Sequence, residues 1–244
     1  TLNPLSRLRT PDLSGIGTLL FNSGALSLLG PLGLTVGEDG LLGSLVTVGN
    51  GQTLDVDTTT TIQSGSKITA VGDFSSDLLQ IDSGGQFDAP SGYTNNDEIQ
   101  LSGVNARITG STLTNNGFIS GQGRINASLT NNGHVNLSNG TLRFGSQVTN
   151  NTSGFISGEG TSVIRFEGGL DNSGSLILTF STSTVFGNIV NNPTGLVSLA
   201  GNSTASFIGD VSNNGQLYVG SGSHAVFGGH TSGSGSFPGS GACL

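Results

Sequence analysis

A pair of asparagines, often followed by glycine, returns along this chain about every 20 residues. It occurs at Asn95-Asn96, Asn115-Asn116-Gly117, Asn131-Asn132-Gly133, Asn150-Asn151, Asn191-Asn192 and Asn213-Asn214-Gly215, with Asp171-Asn172 in the same series. The first-residue spacings are 20, 16, 19, 21, 20 and 22. Self-similarity at such a period means one supersecondary unit per repeat, buried only by stacking on its neighbours. Asn and Gly tolerate left-handed backbone, so the pairs read as corners.

Between the corners, apolar residues alternate. Val135 and Leu137, then Leu142 and Phe144, then Val148 separate one asparagine pair from the next. Ile156, Ile164, Phe166 and Leu170 repeat the order, as do Val197, Leu199, Ala205, Phe207 and Val211. A period of two in runs of four to six residues specifies short strands with one face buried. Three runs per period predict an all-β parallel β-helix, a β-solenoid of about 20 residues per coil and three short strands per coil. Nine to eleven coils are expected over residues 40 to 237. Stacking places like corner residues ~4.8 Å apart, where side-chain amides can form a ladder. The ladder candidates are Asn95, Asn96, Asn115, Asn116, Asn131, Asn132, Asn150, Asn151, Asn172, Asn191, Asn192, Asn213 and Asn214; as an alternative, they serve only as turn formers.

Three segments follow from composition. Residues 1–45 are leucine-rich and read as a cap on the first coil or a strand donor to a neighbouring subunit; Leu19, Leu20, Leu26, Leu28 and Leu29 are the self-association candidates. Residues 46–231 are the solenoid. Residues 232–244 are a Gly/Ser-rich tail that reads as a linker or a loosened last coil. Cys243 has no partner cysteine in the chain. No apolar run is long enough to span a membrane. A start at Thr1, scarce lysine and abundant Asn, Ser, Thr and Gly lead to the expectation of a secreted chain, extracellular or at a cell surface.

The residues offer little chemistry. Asp55 and Asp57 alternate on one strand, and Asp73, Asp77 and Asp82 lie one or two coils on, with Lys67 near in sequence. Paired acids of this kind perform sugar-bond cleavage when held at a fixed separation, but no convergent set of acids, bases and aromatics accompanies them. His134, His224 and His230 are too scattered for a metal site. No catalytic residue, metal or cofactor is expected, and the chain is read as not an enzyme. Its net charge is −8, with seven Lys and Arg in 244 residues. No basic stripe is visible in the sequence, so nucleic acid is not an expected partner. The aromatic candidates for a sugar surface are Tyr93 and Tyr218, the phenylalanines falling mostly at inward positions.

The stretch from Leu113 through Gly133, with Val148-Thr-Asn-Asn-Thr-Ser-Gly-Phe-Ile-Ser-Gly-Glu-Gly and Val211-Ser-Asn-Asn-Gly-Gln-Leu, resembles the repeats of large bacterial exoproteins. These are autotransporter-passenger-like or sorting-signal-bearing surface proteins with Asn/Gly-rich solenoid repeats. The resemblance covers residues 45–237 and implies architecture more than activity. The resulting expectation is a structural subunit of a surface layer, biofilm matrix or filament that binds itself end to end. The alternative is an adhesin or carbohydrate-binding passenger with cell-surface glycans as partners, and after it a polysaccharide lyase or hydrolase centred on Asp55, Asp57 and Asp82.

Overall fold

Alternating apolar residues dictate the strands, and the strands wind into a coil because each run is too short to pair with anything but its counterpart one repeat away. The computed structural model describes residues 7–10, 21 and 23–244. It is a parallel β-solenoid of about 11 turns and about 20 residues per coil. Every strand pairing is parallel, joining a segment to its counterpart in the next coil. At a rise of ~4.8 Å per coil the stack is about 50 Å long.

The coil has three sides. Val148–Asn150 and its counterparts, from Tyr93–Asn95 to Thr231–Ser232, make one eight-stranded sheet. The other two sides form a single hydrogen-bonded network, because strands such as His134–Phe144 and Phe155–Phe166 bend through a corner without a break. That corner needs a left-handed residue, and Gly121, Gly140, Gly160 and Gly222 supply it with φ between 64° and 89°. Phe180 takes the same conformation at φ 53°, an uncommon one for a bulky side chain.

The core is a set of vertical columns. In one, Val46, Ile68, Phe87, Ile108, Ile125, Phe144, Phe166, Val185 and Phe207 lie over one another, all buried. Phe144 and Phe166 stack with centroids 5.1 Å apart. In another, Leu79, Ile99, Ile119, Val135, Ile156, Leu176, Val197 and Leu217 do the same. Thr60 occupies that column one coil before Leu79, fully buried, with its hydroxyl unpartnered.

The stack extends past the boundaries expected from composition. Ala25–Leu28 pairs with Arg7–Thr10 on one side and with 53–56 on the other, so the leucine-rich segment supplies the first coil itself. Leu26 and Leu28 are 0% and 5% exposed. In this single chain both belong to the core of the first coil. Leu29 is 37% exposed, while Leu19 and Leu20 lie outside the described residues. The Gly/Ser-rich tail is laid down as a further partial coil, with Ala242–Cys243 against His224 and Ala225 and bridges at Ser236 and Gly239.

Candidate functional site: asparagine ladders and an arginine notch

The asparagine pair places its two side chains on opposite sides of the wall. The first member ends a strand and points inward: Asn95, Asn115, Asn131, Asn150, Asn172, Asn191 and Asn213 are each at most 1% exposed. From Asn95 to Asn191, each Nδ2 donates to the Oδ1 of the next coil's asparagine, in six successive bonds of 2.7 to 2.8 Å. Most of these Nδ2 groups also donate to a backbone carbonyl one coil on, as Asn150 does to Ser175. The packing is close: a Cβ on Gly133 would lie 2.2 Å from the Gly117 carbonyl. A buried primary amide costs free energy unless both its ends are satisfied, and the ladder satisfies them.

The second member points outward and forms a ladder of opposite sense. Asn116 donates to Asn96, Asn132 to Asn116 and Asn151 to Asn132, at 2.9, 2.9 and 2.6 Å. The outer ladder stops there. The strand register sets Asn172 opposite Asn150, so Asp171-Asn172 is not aligned as a pair with the others, and Ser173 stands where the second asparagine would be. Asn192 then bonds Asp171 and Ser173 instead.

Two further columns escape a reading of the sequence. Ser162, Ser181, Ser203 and Ser223 are buried at one corner. The Ser203 and Ser223 hydroxyls each accept from the backbone N–H of the serine one coil below, and those of Ser162 and Ser181 donate to Leu137 and Gly158 carbonyls. Serine is too common here for four of them to stand out.

The other column corrects the reading of charge. Register aligns Arg107 with Arg124, Arg124 with Arg143 and Arg143 with Arg165. The fold thus builds a basic stripe of four arginines on successive coils, from residues scattered through the sequence. Arg124 donates to Glu167 at 2.7 Å, and Arg143 lies 4.0 Å from the same carboxylate. Arg165 sits 5.4 Å above the Phe186 ring. Arg107 has no side-chain partner among the described residues.

Three of these arginines line a notch of about 320 Å³ with Val104, Asn105, Ala106, Gly123 and Thr141. Its cause is a difference in coil length. From Asn115 to Asn131 the coil takes 16 residues, against 20 before it and 19 after. At the affected corner, Ser102 aligns with Gln122 and Arg107 with Arg124, so 103–106 bulges out where the next coil has only Gly123. The short coil recedes between longer neighbours.

The acid candidates lie on two neighbouring paired strands, Asp55 and Asp57 on Thr53–Ile62 and Asp73, Asp77 and Asp82 on Asp73–Asp82. Asp55 accepts from Ser75 at 2.5 Å and Asp82 from Gln80 at 2.9 Å. Lys67 is bound to Asp88 at 2.9 Å, an acid outside that series. The Thr109 hydroxyl, ahead of Lys67, holds the Asp88 carboxyl below its ordinary range against the opposing pull of burial. Among the described residues, no three of His, Cys, Asp and Glu are grouped to hold a metal. His134 stacks on Phe118, 4.9 Å between centroids and 11° between planes.

The aromatic expectation also changes. Tyr93 packs on Phe87 at 4.9 Å, and burial, with Asp97 beside it, raises its phenol above the usual range. Phe118, Phe180, Phe186 and Phe237 are exposed instead. Tyr93–Asn95 starts the eight-stranded sheet, and between it and 73–76 there is no pairing but a cleft of about 260 Å³ lined by Asp73, Phe74, Ser75, Tyr93 and Thr94. Set against known proteins, the chain matches no family model, no curated protein and no solved structure.

Proposed function

We propose that the chain is a non-catalytic structural rod that works outside the cell, of the kind its repeats resemble in bacterial surface exoproteins. The observation that carries this reading is the inner asparagine ladder, a run of six side-chain hydrogen bonds threading seven coils. Such a ladder specifies register and stiffness. Few charges and many hydroxyl and amide side chains suit a layer, matrix or filament. Association through coil ends belongs to this reading, because a coil edge offers parallel donors and acceptors to any coil of the same shape.

Electron microscopy and light scattering on the purified chain test it. Rods about 50 Å long, and multiples of that length as concentration rises, are expected. Particles that stay single at high concentration would remove end-to-end association. A second reading, a surface protein that binds glycans, is favoured by the arginine notch.

A further inference from the structure

The geometry points to a binding site for an acidic saccharide, a sugar unit bearing carboxylate or sulfate, in the notch lined by Arg107, Arg124 and Arg143. This site adds to the rod reading and does not depend on self-association. Three observations carry it. First, the notch brings together three of the chain's seven basic residues, although the net charge is −8. Second, the one carboxylate at these guanidinium groups, Glu167, serves only two of them, bonding Arg124 closely and lying 4.0 Å from Arg143. Arg107 is exposed and unpartnered among the described residues. Cations stacked one coil apart repel one another, and an oxyanion between them relieves that repulsion.

Third, the lining matches a sugar. A guanidinium fork holds the two oxygens of a carboxylate or sulfate side by side. Val104, 62% exposed, gives an apolar wall, while Asn105 and Thr141 offer an amide and a hydroxyl to ring hydroxyls. A volume of about 320 Å³ is at the small end of ligand sites, room for one or two sugar units. Nucleic acid fits less well. No aromatic lines the notch to stack a base, and the acidic chain around it repels a long phosphodiester.

Isothermal titration of the full chain at low salt tests the site. Four probes are used: a short oligouronate, a sulfated oligosaccharide, their uncharged counterpart, and a single-stranded oligonucleotide. Binding of one or both acidic saccharides is expected, weakening as salt rises, with none to the uncharged chain; whichever acidic probe binds tighter names the oxyanion. Arg107→Gln should weaken that binding at least tenfold with an unchanged urea midpoint, and Arg143→Gln should weaken it too. Lys67→Gln, outside the notch, should leave it unchanged. Absence of acidic-saccharide binding, binding unmoved by Arg107→Gln, or an oligonucleotide bound as tightly as the saccharides would each overturn the proposal.

Discussion

Asn150→Asp is a near-isosteric change that tests the inner ladder at its middle. The Asn150 side chain accepts from Asn131 at 2.8 Å and donates to Asn172 at 2.8 Å and to the Ser175 carbonyl at 3.2 Å. Aspartate keeps the acceptor but turns an oxygen toward two other oxygens, in a fully buried position. A carboxylate there is disfavoured by burial and by those facing acceptors, so its native pKa rises well above the unfolded value of ~3.9. Below that value both states are protonated. The acid O–H then replaces one of the two donated bonds, and the variant is weaker by about 1 kcal/mol. Above ~3.9 the unfolded chain ionises while the native chain does not, and the penalty grows by ~1.4 kcal/mol per pH unit until the native group also titrates. With a native pKa of 7 or more, the added loss at pH 7 is about 4 kcal/mol. Urea unfolding followed by far-ultraviolet circular dichroism between about pH 4 and pH 7 reads this directly. Asn116→Asp, on the exposed outer ladder, is the control and should stay within about 0.5 kcal/mol of the parent. A difference for Asn150→Asp that is small at pH 7, or flat across the range, would refute the buried donor role assigned to Asn150.

Three other outcomes follow from the same geometry. Thr60→Val exchanges the buried, unpartnered hydroxyl for a methyl group in an aliphatic column and should stabilise by about 1 kcal/mol, read as a higher urea midpoint. Leu26→Ala should cost 2–5 kcal/mol, the range typical of a buried leucine; a variant with normal stability but altered association would return Leu26 to an interface role. Asp88→Asn removes a carboxylate held below its ordinary pKa by Thr109 and Lys67. Asp88 therefore contributes stability above its unfolded pKa and loses it as pH falls through the native one, so the variant should be weaker than the parent at pH 7 and match it in strong acid.

Most of the architecture was legible because a solenoid core is written locally. Val135, Leu137, Leu142, Phe144 and Val148 alternate within one coil, and the next coil repeats them with no long-range bookkeeping. The vertical alignment was harder, because coil length varies and side-chain columns form across unequal intervals. One residue of slip at Asp171-Asn172 hid the break in the outer ladder, since both candidate frames contain an asparagine. The arginine stripe is illegible for the same reason: Arg107, Arg124, Arg143 and Arg165 share no constant spacing, and only register brings them into line. The exposed phenylalanines sit at or beyond strand ends, where alternation no longer tells inside from outside, as at Phe180 and Phe186. The phenol of Tyr93 fell the other way, under Phe74 and Phe87.

The short coil between Asn115 and Asn131 uses fewer residues than its neighbours yet advances the inner ladder by one rung, like every other coil. Height in this molecule is therefore counted in rungs, and relief is drawn with whatever residues are left over. A few residues added or removed at the 103–106 corner would deepen, fill or move the notch without shifting a single rung. One part of the repeat acts as a ruler and the rest as a mould, so a surface can be recast along the rod while its length is held fixed.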